Sequence, residues 1–318
     1  MKNVAYLGAS ALFAAALGSA ALAQAPLAIG TNPQGSMAYA AGSAIADVVG
    51  DALSASFTVV PLGGPTAVIP ALLDGEFDFG FANMQAATSA YIGRGAFDGR
   101  AQSDLRVATV IFPLYFGTLT STSSGIETLE DMRGRRAASE FSSQRNTVVN
   151  MVTSLAVAGM TYVDVVPVPT QSGADSVQML IDGQLDVTNF SVGSGVISQL
   201  EAAIGARFLS LPDDEATRAL VADHMPGATI ATLPDGFSAG IRGDTNVFSA
   251  PFVVLTSADA DDETVYNVVR AMAEHQELLA GSLGQFSAMT PEMMAQRDLS
   301  IPYHPGAIRY FEERGVWQ

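Results

Sequence analysis

The sequence predicts an α/β protein built as two similar lobes facing one another across a cleft, and three observations carry that prediction. Short β-like runs alternate with stretches whose apolar residues recur every three to four positions, the pattern of parallel strands covered by helices. A helix–turn–strand unit occurs twice, as "LLDGEFDFGFAN" from Leu72 to Asn83 and "LIDGQLDVTNFS" from Leu180 to Ser191, with starts 108 residues apart. The runs end in Gly, Ser, Asn and Gln, at the carboxyl ends of strands where open α/β sheets hold ligands. At 318 residues and 48% hydrophobic content, the chain is long enough to bury two ordinary cores.

The first element is a leader. Lys2 precedes the acid-free run "VAYLGASALFAAALGSAALA" and the small residues "ALAQA". This is the pattern of a secretory signal peptide over residues 1–23, cut after Ala23 because a cut after Ala25 would leave Pro26 at the new terminus. A retained membrane anchor is the alternative, weakened by Gly18 and Ser19, which leave the run short of a comfortable span. Export predicts a periplasmic protein. No cysteine follows, which excludes lipid attachment at a cysteine and any disulfide framework. Lys2 is the one lysine, so the remainder carries 14 arginines against 32 acids, a net charge of −18. Such a field repels nucleic acid and anionic lipid, and it makes each arginine worth locating.

The β-runs follow as "LAIGT", "FTVVPLGG", "FDFGFAN", "RVATVIF", "YFGTLT", "RRAASE", "YVDVVPVP", "DVTNFSV", "RFLSLP", "ATIATLP" and "FVVLTS". Helical spacing marks "MAYAAGSAIADVVGDAL", "RNTVVNMVTSLAVAGM" and "ETVYNVVRAMAEHQELL". In both copies of the repeated unit an apolar helix stops at Asp-Gly, because glycine takes the left-handed conformation cheaply, and a β-run begins. Asp74, Glu76 and Asp78 sit on alternate positions, as in a cation site, but the second copy has Gln184 in place of Glu76. An oxygen-lined cation site wants more converging carboxylates than that, so Asp74 and Asp182 read as helix ends.

Three further stretches resemble the TAXI family, the extracytoplasmic solute receptors of TRAP transporters: "IGTNPQGSMAYAAGSAIA", "SGIETLEDMRGRRAAS" and the C-terminal "IPYHPGAIRYFEERG". The last is the most specific, and the three keep the family's order and spacing over nearly the whole chain after the leader. The resemblance implies a two-lobed, type II-like periplasmic-binding-protein fold, each lobe a mostly parallel sheet flanked by helices. Lobe I would comprise residues 26–117 and 251–318, and lobe II residues 118–250. It also implies a receptor that closes on a small solute and delivers it to TRAP transporter membrane subunits. The sequence departs from the family where Asn32 and Ser36 replace glycines, Ala38 replaces a tyrosine, and Gln144–Asn146 stand for Ser-Gly-Thr.

The candidate cleft gathers from the strand ends. Thr31, Asn32, Gln34, Gly35 and Ser36 form a polar loop opening a helix whose free N–H groups suit a carboxylate; Ser36 also reads as a helix cap. Asn83 and Gln85 offer neutral amides at positions where the TAXI family carries Gln and Asp. Tyr115 reads either as a cover over the ligand or as a hinge aromatic. Ser143, Gln144, Arg145 and Asn146 open the helix after "RRAASE". Arg145 reads as a carboxylate grip or as a solvated first-turn residue that the helix dipole disfavours. Asn189 and Ser191 end the second copy of the repeat.

Arg133, Arg135, Arg136, Arg309 and Arg314 read as structural. Catalysis finds little support: His224, His275 and His304 are far apart, with no nucleophile elbow and no His-Glu-x-x-His pair. The expectation is a non-enzymatic receptor without cofactor or metal. Its ligand is a carboxylate-bearing metabolite such as a dicarboxylate, a 2-oxo acid or an acidic amino acid. The alternative is a sensor that presents ligand to a receptor kinase or chemoreceptor.

Overall fold

The computed structural model describes residues 26–317; the leader expected over 1–23 lies outside them. The first elements are β1 (Leu27–Thr31), α1 (Met37–Leu53), β2 (Phe57–Pro61), α2 (Pro65–Leu73), β3 (Phe79–Asn83), α3 (Met84–Ile92) and β4 (Leu105–Ser121). Then come β5 (Arg136–Ser139), α4 (Val148–Val157), β6 (Val166–Pro169), α5 (Gly173–Ile181), β7 (Val187–Ser191), α6 (Gly195–Ile204) and β8 (Ala206–Phe208). The remainder is α7 (Glu215–His224), β9 (Thr229–Leu233), β10 (Thr245–Ser257), α8 (Asp262–Glu274), α9 (Gln276–Ser282), α10 (Pro291–Met294) and α11 (Pro305–Glu313).

Among the described residues the strands form one mixed sheet in the order β2-β1-β3-β10-β4-β7-β5-β6, with β8 on β4 and β9 on β10. The parallel triplets β2-β1-β3 and β6-β5-β7 sit at its two ends, and the long antiparallel pair β4 and β10 joins them. The sequence reads "RVATVIF" and "YFGTLT" as two runs, whereas they are one 17-residue strand. Pro113, which breaks the alternation, lies inside it opposite Pro251 of β10.

The sheet carries two cores. One packs β1–β3, the first half of β4, the last part of β10 and the C-terminal helices, from Leu27 to Phe112 and from Phe252 to Phe311. The other runs from Phe116 to Ala250. The chain leaves the first core through Pro113–Tyr115 and returns through Pro251, so among the described residues two strands, β4 and β10, cross between them.

The repeated unit is duplicated down to single hydrogen bonds. Asp74 and Asp182 are the C-caps of α2 and α5, each closing on the residue four before it at 2.9 Å, and Gly75 and Gly183 follow at φ of 77° and 68°. Asp78 Oδ2 accepts from the Ala28 N–H, and Asp186 Oδ2 from the Arg136 N–H, both at 2.8 Å. These carboxylates fasten each strand of the unit to the neighbouring parallel strand, which is why they recur. In the second copy the Arg136 guanidinium also grips Asp186, holding its carboxyl below the usual range. Arg133 similarly pairs with Asp164. His304, fully buried, caps α11: Nδ1 accepts from Gly306 N–H and Nε2 donates to the Ala260 carbonyl, while burial pushes its pKa down. No helix among the described residues is long and apolar enough to cross a membrane.

Candidate functional site

The parallel strands of both cores end in loops that meet along one seam. Gly35 packs so closely on the second core that a Cβ there would lie 2.8 Å from Val196 Cγ1, and at Gly63 one would lie 2.1 Å from the Ser143 carbonyl oxygen. Glycine is required where backbone from one core touches the other. The first core contributes the loops β1–α1, β2–α2 and β3–α3, and the second β5–α4, β6–α5 and β7–α6.

In the β1–α1 loop, Ser36 caps α1, its Oγ accepting from the Tyr39 N–H at 3.2 Å and donating to the Pro33 carbonyl at 2.6 Å. Thr31 is buried on its own backbone contacts, and Gln34 points outward to the Tyr39 hydroxyl at 3.3 Å. Asn32 Oδ1 is buried and has no partner. At the end of β3, Asn83 Oδ1 caps α3 by accepting from the Ala86 N–H at 2.8 Å. Gln85, 3% exposed, buries Oε1 without a partner.

Across the seam, Gln144 Oε1 accepts from the Gly173 N–H at 2.7 Å, so this amide ties the β5–α4 loop to the start of α5. Ser143 Oγ donates to the Gln171 carbonyl at 2.8 Å, and Ser191 Oγ pairs with Ser194 Oγ at 2.7 Å. Asn146 Oδ1 is buried and unpartnered, and Asn150 Oδ1, one helical turn onward, is too. Asn189 is 0% exposed with both amide atoms unpartnered, and its cross-strand neighbour Thr118 leaves Oγ1 in the same condition. Among the described residues seven side chains bury a polar atom that no protein group satisfies; six of them, drawn from both cores, are these, and the seventh is Arg270, through Nε, on α8. The backbone at the β5–α4 loop is bent as well, with Glu140 and Phe141 at φ of 65° and 41°.

The candidate residues fall into compartments. Gln85, Arg145 and Asn146 line a common cavity of about 190 Å³ with Arg94, Asp223 and His224. Arg145 is exposed and also borders a larger groove with Glu140 and Tyr162. Tyr115 belongs elsewhere, to a cavity of about 390 Å³ by the crossing strands with Met37, Val192 and Gln285. Its ring is edge-on to Phe237 at 5.7 Å, and burial raises its hydroxyl pKa. Three residues of interest escaped the sequence reading. Asn150 had a signal, its helical spacing from Asn146; Arg94 had only its rarity; Thr118 is found through its register with Asn189 alone.

Residues 29–315 match the NMT1-like family. The chain belongs to the NMT1-like family. Among solved structures, this NMT1-like protein is similar to MatC from Rhodopseudomonas palustris with bound malate, at TM-score 0.59 and 12% identity over 92% of this chain and 98% of that one. It is also similar to the alkanesulfonate-binding protein SsuA from Xanthomonas axonopodis pv. citri bound to MOPS, at TM-score 0.51 and 18% identity over 91% of each chain. At such identities what is shared is the fold: a central sheet flanked by helices, as in periplasmic solute-binding proteins. Chemically, the candidate residues of this NMT1-like protein are mainly neutral amides, able to donate or accept, with the Arg145 guanidinium beside Gln85 and Asn146.

Proposed function

We propose that the protein is a periplasmic solute receptor that closes two lobes over a small carboxylate-bearing metabolite and hands it to TRAP-type membrane subunits. The observation that carries this reading is the set of buried, unpartnered atoms on Asn32, Gln85, Asn146, Asn150, Asn189 and Thr118, drawn from both cores. Leaving a buried polar atom unsatisfied costs about 1–3 kcal/mol, so a polar solute favours closure by donating from hydroxyl or ammonium groups to the amide oxygens and by accepting at its carboxylate from Asn189 Nδ2 and Thr118 Oγ1. The lobes, expected at 26–117 with 251–318 and at 118–250, follow the two cores, with the crossover on β4 falling between Pro113 and Phe116. Arg145 at the edge supplies the charge for a carboxylate. The fold partner MatC is seen with malate, a dicarboxylate, which fits that choice. The three TAXI-like stretches support the TRAP partner, and the leader, cut after Ala23, supports the compartment. Binding rather than turnover is the activity, since the seam presents amides and no activated nucleophile.

Native mass spectrometry of protein purified gently from its own periplasm tests the reading: a retained carboxylate of defined mass is expected. A thermal-shift series over carboxylates provides the second measurement. Stabilisation by none of them, with no retained mass, would defeat the assignment.

A further inference from the structure

Most arginines of this acidic chain are engaged. Arg136, Arg242 and Arg309 hold carboxylates at 2.6, 2.7 and 2.8 Å, and Arg270 and Arg297 lie over aromatic rings. Arg94, Arg135, Arg145 and Arg314 have neither a carboxylate within ion-pair distance, a side-chain hydrogen bond nor an aromatic ring beneath them among the described residues, and of these four it is Arg94 and Arg145 that line the cavity of about 190 Å³. They come from opposite sides of the seam. Arg94 follows α3 and is set by the turn in which its N–H donates to the Ser89 carbonyl at 2.8 Å and its carbonyl accepts from Phe97 N–H at 3.1 Å. Arg145 opens the turn before α4, set by the Thr147 N–H bond to the Gln144 carbonyl at 2.8 Å.

We propose that Arg94 and Arg145 form a two-arginine clamp for one oxyanion group of the solute, so that lobe closure depends on an anion. The proposal rests on the receptor reading above and names the chemistry of one end of its ligand. Closing the lobes brings two like charges to one small cavity, which opposes closure; a carboxylate, sulfonate or phosphate between them reverses the sign of that interaction. Guanidinium groups suit this through paired, parallel N–H donors. Gln85 and Asn146 line the same cavity with buried unpartnered amide oxygens, acceptors that suit a hydroxyl or ammonium of the solute next to its oxyanion. Asp223 shares the lining, so the local balance is two cations to one anion, in a protein whose overall balance is the reverse. The cavity is smaller than the roughly 300–1,000 Å³ of complete ligand pockets, so it takes one charged end and not a whole metabolite.

The test titrates the full-length mature protein with succinate, ethanesulfonate, inorganic phosphate and neutral succinamide. Thermal shift reports binding, and small-angle scattering reports closure. At least one of the three anions is expected to stabilise and compact the wild type, with succinamide at least tenfold weaker, and the three arms identify the oxyanion. Arg94→Gln and Arg145→Gln should each weaken the effective anion about tenfold, as loss of a charge-assisted hydrogen bond does, with Arg94→Lys recovering part of it. Affinity in the wild type should fall with added sodium chloride more steeply than in Arg94→Gln. Equal anion affinity in Arg94→Gln and wild type overturns the clamp. So does a wild type that responds to no anion; if native mass spectrometry still finds a retained solute, the receptor reading survives, and if it does not, both fall.

Discussion

Asn189 is where the chemistry of the seam is most concentrated. Its side chain is 0% exposed, both amide atoms lack protein partners, and Thr118 beside it is unsatisfied too. An amide kept there for stability alone would be a poor choice, because a leucine of similar shape would remove the desolvation penalty. Asn189→Leu is therefore expected to leave the ligand-free protein as stable or up to about 2 kcal/mol more stable. Solute retention by native mass spectrometry should be lost in the same variant. A variant that is destabilised and still retains solute would assign Asn189 to the scaffold. At this scale the sequence was partly legible. Asn32, Gln85, Asn146 and Asn189 sit in or beside the strand-to-helix junctions that the sequence marks out, whereas Gln144 spends its amide on Gly173, a contact 29 residues away that no local pattern announces.

The repeated helix–turn–strand shows why some elements read easily and others do not. Asp-Gly stops are local signals, so α2, β3, α5 and β7 appear where the sequence places them. The long β4 reads as two runs because its pairing with β10, which carries it through Pro113, is non-local. The second carboxylate common to both copies gives a test of the duplicated fastening. Asp78 holds Ala28 N–H alone, while Asp186 holds Arg136 through backbone and guanidinium. Asp78→Ala is expected to cost about 1 kcal/mol and Asp186→Ala about 2 kcal/mol by urea unfolding, the second figure discounted because the Arg136 side chain is 42% exposed. Asp186 has a folded pKa depressed chiefly by its hydrogen bond to the Arg136 side chain. Its contribution is thus complete above the unfolded carboxylate value near about 4 and declines as pH falls through that value towards the folded one. The gap between wild type and Asp186→Ala should stay level from pH 7 to 5 and narrow below pH 4.

Across the whole molecule, motion must pass through two strands. Pro113 of β4 and Pro251 of β10 are in register opposite each other, and neither can donate an N–H, so the ladder is weakest at the point where the chain leaves one core for the other. On either side the strands are fastened by aromatic pairs, Phe112 with Phe252 and Phe116 with Phe248, each at 5.5 Å between ring centres. A weak step between two locked ones is where bending concentrates, and register irregularities at Phe252–Leu255 lie directly beside it. The arrangement described here has the lobes in contact, with Gly35 against Val196 and Gly63 against Ser143. Ladder bonds restored in this arrangement would therefore favour the closed form. Replacing both prolines by valine returns two donors to the pair, each worth about 1 kcal/mol where it finds an acceptor. The double variant is expected to be more compact than wild type without solute by small-angle scattering and to release solute several-fold more slowly, because opening now breaks bonds that wild type lacks. Unchanged scattering and unchanged release would place the bend outside this pair of prolines.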